Sequence, residues 1–192
     1  MQIQIDEELI VAKRQPPGYC NFTIATQLGR ILDLVEKRFG PRDPSYTILG
    51  VEFHDDSPCI WFPGNRHHVA VQLSTVTLAR FGHIVFQLAH ECVHLLDPAP
   101  GGTNVLEEGL ASMFQLQFMH ALEPEGDWQL ANARYEAAAL LIAPLLELDA
   151  DAIRKYRSRH GPLRSATPEC LLDVTPGLPA SIARRLCLPF PY

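Results

Sequence analysis

The hydrophobic positions predict one helix and several short strands in the first part of the chain, and helices almost throughout the rest. An early segment has the spacing of a helix that buries one face, and its apolar members are Ile24, Leu28, Ile31, Leu32, Val35 and Phe39. Asn21 is the predicted N-cap of this helix, and the Gly-Pro pair at 40–41 ends it. Three short β-like runs follow at 46–53, 59–62 and 68–73.

The rest of the chain carries a helical pattern almost throughout. The spacing predicts helices at about 79–97, 104–122, 127–147, 149–160 and 179–187. The order is therefore an N-terminal helix, a small sheet and then a mostly helical half. We expect an α+β fold in which the small sheet is antiparallel.

The first helix after the sheet combines an apolar surface with a polar stripe. Residues 81–97 are apolar on nearly every face, which is typical of a buried helix. Its few polar residues are His83, Gln87, His90, Glu91 and His94. Burying an unpaired imidazole or carboxylate costs on the order of a few kcal/mol. The stripe therefore needs partners, and a metal ion in a cleft would supply them; the alternative is core histidines satisfied by hydrogen bonds.

His90, Glu91 and His94 have the H-E-x-x-H spacing that a zinc hydrolase needs. Positions i and i+4 of a helix lie on one face, so both imidazoles can reach the same tetrahedral ion. Glu91 lies beside this row, where it can take a proton from a metal-activated water. The spacing predicts His90 and His94 as metal ligands and Glu91 as the general base.

Two carboxylates at the start of the next predicted helix compete for the role of third ligand. Asn104 is a good N-cap, and Glu107 then occupies the third helical position, whose side chain can reach back to the cap amide. Glu108 has no such local role. Small residues one turn further on would allow the two helices to approach closely. We therefore expect Glu107 to cap the helix and Glu108 to bind the metal.

The two motifs together resemble the gluzincin group of zinc metallopeptidases, which pair H-E-x-x-H with a downstream E-x-x-A or E-x-x-D helix. The resemblance covers about residues 69–120 and implies a zincin-like fold with a Zn²⁺ cofactor. Carried over by position, the implied site residues are His90, His94 and Glu108 as ligands and Glu91 as base. The chain differs in the gap between the motifs. Thirteen residues separate His94 from Glu108, fewer than in gluzincin aminopeptidases.

The resemblance also nominates residues around the metal. In zincins the strand before the metal helix borders the cleft, so residues 69–74 are a candidate edge for an added substrate strand. An ordinary core strand is the alternative. Gluzincins supply an oxyanion donor from downstream, for which Tyr135 and Tyr156 are both candidates. His83 and Gln87 are candidates for orienting a ligand, or else they line the cleft.

Size and composition are typical of one globular domain. The 192 residues predict a metallopeptidase domain over 1–162 with a helical appendage over 163–192 packed on it. A net charge of −6 argues against a nucleic-acid partner. Five widely spaced cysteines argue against a disulfide framework. The N-terminus lacks a signal-peptide pattern, and the longest apolar run, 137–146, is too short for a membrane span. We expect a cytoplasmic protein.

The C-terminal part is similar to the helix-hairpin-helix element of DNA-binding proteins, over about residues 171–186. Pro179 stands where that element has its second glycine, and proline supplies no backbone N–H for a phosphate. The pattern therefore indicates a packing hairpin with Pro179 at a helix N-terminus rather than a DNA contact.

These patterns predict a zinc-dependent metallopeptidase that acts on a peptide or protein substrate. The chain is small and has no recognisable element for holding a free amine, which favours endopeptidase action. One alternative is a non-catalytic zinc protein, against which the intact Glu91 argues. The other is an interaction module that acts through the C-terminal hairpin. An exposed apolar or basic patch at 163–187 would favour that module.

Overall fold

A computed structural model describes residues 24–64 and 67–191, together with the backbone of 14–15 and 19–20. The predicted N-cap Asn21 lies outside the described residues. The strands are β1 (Arg14–Gln15), β2 (Tyr19–Cys20), β3 (Thr47–His54), β4 (Cys59–Trp61) and β5 (His68–Ser74). The α-helices are α1 (Ile24–Phe39), α2 (Phe81–His94), α3 (Val105–Leu122), α4 (Ala133–Leu148), α5 (Ala152–His160), α6 (Pro168–Val174) and α7 (Ala180–Leu186). The chain is thus α+β, with a small sheet and a mostly helical second half.

The main sheet has three strands in the order β3–β5–β4. β5 pairs in parallel with β3 and antiparallel with β4, so the sheet is mixed and the expected antiparallel sheet is wrong. Of the two alternatives for residues 69–74, the substrate-binding edge is wrong and the core strand is correct, because β5 is the central strand. β5 buries Val69, Val71 and Leu73. It also hydrogen bonds to a neighbouring strand on each side, so it offers no open edge to a peptide. The short strand β4 forms one edge instead.

Helix α1 packs through the stripe that its spacing predicts. Its buried residues are Gln27, Leu28, Ile31, Leu32, Val35 and Phe39. The helix ends just before Gly40, whose φ of +95° is a backbone conformation that residues with a Cβ rarely adopt. Pro41 follows directly and cannot continue the helix. The predicted end of the helix is confirmed.

The predicted helices all occur in the expected order but differ at their ends, and α6 is a further helix that the spacing does not predict. α2 ends at His94, about one turn earlier than expected. α4 begins at Ala133 rather than near 127, because the Asn132 side chain caps it by accepting a hydrogen bond from the Arg134 amide at 2.9 Å. α7 follows Pro179, as expected. Among the described residues, no helix combines the length and apolar character needed to cross a membrane.

Helices α3 and α4 touch backbone to backbone at one glycine. A Cβ added to Gly109 would lie 2.5 Å from the carbonyl oxygen of Ala138, well inside van der Waals contact. Only glycine allows this approach without a shift of one helix. Gly109 directly follows Glu108 in the chain, so this close contact between α3 and α4 lies next to a predicted ligand.

Candidate metal site and cleft

Helix α2 carries its polar stripe into the interior of the molecule. The helix packs against α1, α3 and β5, and its apolar residues join the hydrophobic core. His90, Glu91 and His94 are only 9%, 3% and 8% exposed. Buried groups of this kind require polar partners, since an imidazole or carboxylate without one is costly. The partners of the two imidazoles come from the facing helix.

The first turn of α3 presents two carboxylates to α2. Asn104 caps the helix: its Oδ1 accepts from the Glu107 amide at 2.9 Å, and its Nδ2 donates to the Leu163 carbonyl at 2.8 Å. Carboxylates in the first turn also interact favourably with the helix dipole. The cap predicted at Asn104 is confirmed. Glu107 and Glu108 both point at the imidazoles of the stripe.

Three side chains converge on one point, and they are the three predicted ligands. His90 Nε2 lies 3.2 Å from Glu108 Oε2, and His94 Nε2 lies 3.5 Å from Glu108 Oε1. One ligand atom from each of the three residues lies within 4.8 Å of the others. A tetrahedral zinc ion with bonds of 2.0–2.1 Å places its ligand atoms roughly 3.3 Å apart. The donor set and its spacing therefore fit a zinc ion.

The remaining nitrogen of His90 is held by an amide whose orientation the structure fixes. Gln115 Nε2 donates to the Phe86 carbonyl at 3.0 Å, so Gln115 Oε1 is the atom that faces His90 Nδ1, at 3.3 Å. An amide oxygen only accepts, hence Nδ1 carries the proton. Because Nδ1 faces Gln115, Nε2 is the nitrogen that faces Glu108, and this is the ring orientation that a metal ligand needs.

The corresponding nitrogen of His94 is held by Glu107. His94 Nδ1 donates to Glu107 Oε1 at 2.8 Å, and Arg164 donates to the same oxygen at 3.3 Å. Arg164 is held in turn by the Ala99 carbonyl at 2.7 Å. The expectation that the Glu107 side chain returns to its own helix cap is wrong. A charge-assisted bond to a histidine and an arginine is stronger than a bond to a neutral amide, and both partners lie within reach.

The charges of the cluster shift the pKa values of His94 and Glu108 in opposite directions. Burial alone would lower the pKa of His94, but Glu108 and Glu107 outweigh it and raise that pKa to about 10. Burial would likewise raise the pKa of Glu108, but His94 and His90 lower it to about 2. The carboxylates thus draw a positive charge to the centre of the cluster. A proton on His94 supplies that charge, and a divalent cation would supply it more fully.

Glu91 is buried beside the cluster, one position after His90 on the same helix. Burial raises the pKa of Glu91 above its ordinary value, with His94 and His90 opposing the shift. A carboxylate with a raised pKa is a stronger base than an ordinary one and can act as a proton acceptor in catalysis. Its side chain lines the cleft, within reach of a molecule bound at the cluster.

The cluster lies at the floor of a cleft of about 550 Å³. One wall is the edge strand β4 and the residues before it, including Ser57 and Ile60. The opposite wall comes from the start of α4 and from the C-terminal segment, including Tyr135 and Phe190. A volume of this size accommodates several residues' side chains or a small ligand. The strand that borders the cleft is therefore β4, not residues 69–74.

The structure distinguishes the two tyrosines and relocates the two stripe residues. The Tyr135 ring contacts His90 edge-to-face with centroids 5.8 Å apart, whereas Tyr156 is buried in the core against His160. Gln87 lines the cleft and accepts from the Ser74 amide at 3.0 Å, and His83 packs on a tryptophan ring. No hydrogen bond of the described residues joins either of them to a predicted ligand.

Among known proteins, no family model, no curated protein and no solved structure matches the chain. The chemistry of the site is therefore inferred from its own residues.

Sequence analysis missed four residues that contact the site. Gln115 could have been found, because it lies two helical turns after Glu108 on the same face. Arg164, Thr103 and Phe190 reach the site through turns and a terminal segment. No periodic pattern in the sequence predicts contacts made by turns or by a terminal segment.

Proposed function

We propose that the protein is a zinc-dependent metallopeptidase with a gluzincin-type site in a zincin-like fold. The observation that carries the proposal is the convergence of His90, His94 and Glu108 at ligand spacing, with Glu91 beside them in a cleft. Two imidazoles and one carboxylate are the protein donors of several catalytic zinc sites. The cluster found among the described residues has three members, which leaves one tetrahedral position for water or substrate.

Iron(II) oxygenases use the same set of ligands, so the ligands alone do not distinguish hydrolysis from oxygenation. Glu91 distinguishes the two reactions. An oxygenase needs no carboxylate base beside its ligands, whereas hydrolysis requires a group that accepts a proton from water. A purely structural zinc site does not need such a base either. The raised pKa of the buried Glu91 supports hydrolysis over both alternatives.

The residues of the chain divide the chemistry of peptide hydrolysis among them. A bound Zn²⁺ would supply Lewis acidity, which polarises a carbonyl and makes a water molecule acidic near neutral pH. Glu91 takes the proton from the attacking water and passes it to the leaving amine. Tyr135, at the cleft wall beside His90, donates a hydrogen bond from its hydroxyl to the oxyanion that develops on the carbonyl.

An extended peptide is the substrate that the cleft accommodates best. β4 pairs with β5 through one edge only, and residues 59–60 line the cleft. A peptide can hydrogen bond to such an edge as an additional strand, which positions its carbonyl without regard to sequence. The sequence shows no recognisable element for holding a substrate's free amine, and this favours endopeptidase action.

The interaction-module alternative rests on the surface of the C-terminal hairpin. The exposed large apolar side chains in the described part of the chain are Leu49, Trp61, Val76, Leu78, Leu140, Leu148 and Leu188. None of these lies between 163 and 187, where that alternative expects an exposed apolar or basic patch, and the exposed basic residues of α7 are the pair Arg184 and Arg185. We therefore retain the metallopeptidase as the proposed function.

Glu91→Gln is the variant that tests the proposal. The amide keeps the size of the side chain and cannot accept a proton, so zinc should be retained while cleavage of a peptide library falls by roughly 10²–10⁴-fold. Zinc is quantified by elemental analysis and cleavage by mass spectrometry. Equal cleavage by the variant and the wild type would rule out Glu91 as the base. No cleavage by the wild type, with zinc bound, would favour the non-catalytic alternative.

A further inference from the structure

The C-terminal segment Leu188, Pro189, Phe190 and Pro191, here termed the C-terminal strap, runs along the loop that leads into α3. The Val105 amide donates to the Leu188 carbonyl at 2.9 Å, and the Phe190 amide donates to the Thr103 carbonyl at 3.0 Å. Asn104 and Pro189 form a β-bridge between them. The strap therefore holds residues 103–105 by backbone pairing on both sides of the helix cap.

The loop that the strap holds contributes directly to the third ligand. The Thr103 hydroxyl donates to Glu108 Oε1 at 2.8 Å. Two glycines, at 101 and 102, precede Thr103, and Gly101 has a φ of +105°. A loop with two glycines has much conformational freedom to lose, so an external tether is needed to keep Thr103 in place. The strap is that tether.

The strap also reaches the first ligand, through two aromatic rings. Phe190 is 6% exposed and packs on Tyr135 with centroids 4.9 Å apart, and Tyr135 contacts the His90 ring. Arg134 donates to the Pro191 carbonyl at 3.1 Å and fixes the end of the strap to the start of α4. The same four-residue segment thus supports a carboxylate ligand on one side and an imidazole ligand on the other.

We propose that the C-terminal strap is a positioning element of the metal site, with Phe190 and Thr103 as its positioning residues. The inference rests on the metal site of the proposed function. Ligands bind a metal tightly when their geometry is fixed beforehand, and outer partners that fix it are typically worth roughly 10–100-fold in metal affinity. Thr103 restrains the Glu108 carboxylate, and Phe190 restrains both the Thr103 loop and the Tyr135 ring.

The test compares zinc affinities measured by competition with a chromophoric chelator. Thr103→Val removes the hydroxyl and keeps the shape, and should weaken zinc binding about 10-fold or more. Thr103→Ser keeps the hydroxyl and should bind zinc as the wild type does. Phe190→Ala should weaken binding to a similar degree, and Phe190→Leu, which keeps the side chain buried, should fall between Phe190→Ala and the wild type.

A control separates positioning from general loss of stability. Leu171, fully buried in α6 and distant in sequence from the ligands, becomes alanine in Leu171→Ala. This variant should melt at a lower temperature without zinc and bind zinc with unchanged affinity. Zinc affinity within about twofold of the wild type in both Thr103→Val and Phe190→Ala would overturn the strap proposal, since outer partners are worth more than that. A wild type that binds no zinc would instead contradict the metal site itself.

Discussion

Two charged networks lie near the C-terminal end of α2, and they differ in whether their residues line the cleft. Just after the helix ends, Arg157 of α5 binds Asp97 at 2.7 and 3.0 Å, and its donors also reach four backbone carbonyls. Those carbonyls belong to Phe39, Gly40, Pro41 and Leu96. We call this set the Arg157 staple. It joins the ends of α1 and α2 to α5.

The cluster of His90, His94, Glu107 and Glu108 differs because three of its members, His90, His94 and Glu108, line the cleft. In the Arg157 staple, every nitrogen of the guanidinium meets an acceptor. In the cluster, Glu108 and Glu107 raise the pKa of His94, and His90 Nε2 lies 3.2 Å from Glu108 Oε2 at the cleft. A charged network closed within the fold is a structural feature, whereas charged groups with shifted pKa values that line a cleft indicate a binding site.

The largest expected effect comes from removing the third ligand. Glu108→Gln takes away the carboxylate that draws a cation to the cluster, and zinc affinity should fall by more than the roughly 10–100-fold typical of outer partners. Glu107→Gln is the matched variant. It changes the carboxylate that orients His94 and should cost only about 10-fold. Isothermal titration with zinc measures both. Equal losses in the two variants would contradict the assignment of ligand and partner.

The Arg157 staple should affect stability and leave zinc binding unchanged. Arg157→Lys retains the charge but cannot reproduce the planar set of donors, so carbonyls of α1 and α2 lose partners. We expect a loss of about 3 kcal/mol in the free energy of unfolding, as for other broken buried ion pairs. Urea denaturation measures it, and zinc affinity is the control. A variant that loses zinc affinity as strongly as Glu108→Gln would end the distinction between the two networks.

The backbone contact at Gly109 offers a smaller effect with an internal control. Gly109→Ala forces a methyl group against the Ala138 carbonyl and should destabilise the fold by about 1–3 kcal/mol. A methyl group added at Gly29, on an exposed face of α1, would meet no atom within 4 Å, and Gly29→Ala should stabilise by about 0.5–1 kcal/mol. In thermal denaturation, the melting temperature should fall in Gly109→Ala and rise in Gly29→Ala. A change of the same sign in both variants would contradict the close approach of α3 and α4.

The last prediction concerns the pH dependence of the zinc-free protein. The pKa of His94 rises from 6.5 to about 10 on folding, so its contribution to stability is complete below pH 6.5 and is lost as pH rises through 10. The pKa of Glu108 falls from 4.5 to about 2, so its contribution is complete above pH 4.5 and is lost as pH falls through 2. The pair therefore stabilises most between pH 4.5 and 6.5.

Unfolding of chelator-treated protein between about pH 5 and the His94 pKa of about 10 measures this dependence. Zinc affinity should change in the opposite direction and rise with pH, because the proton on His94 must leave before the metal binds. The difference in stability between wild type and Glu108→Gln should shrink as pH rises from 6.5 toward 10. A difference that grows over that interval would contradict the proposed coupling.

The parts of the molecule that the sequence predicts are those with local signals. The H-E-x-x-H spacing locates His90 and His94 on one helix face, and the cap at Asn104 locates the first turn of α3. The choice of Glu108 as ligand depends on assigning Glu107 to the cap. That choice agrees with the observed cluster, although Glu107 binds His94 instead of the cap amide. A side chain at the third helical position has two possible partners, and only the tertiary contact decides between them.

The parts that the sequence does not predict depend on pairing between distant segments. The central position of β5 follows from the choice of neighbours among three short strands, and no turn signal encodes it. The contacts of Phe190 with residues 103 and 135 likewise join segments that share no periodicity. The cleft wall could therefore be recognised only once the chain is folded.

X-ray absorption at the zinc edge of the zinc-loaded protein tests the central claim most directly. The account predicts one zinc per chain with nitrogen and oxygen neighbours alone, at about 2.0–2.1 Å for the two imidazoles. A sulfur neighbour at about 2.3 Å would show that a cysteine such as Cys59 or Cys92 binds the ion. That result, or a spectrum without imidazole scattering, would contradict a site made by His90, His94 and Glu108.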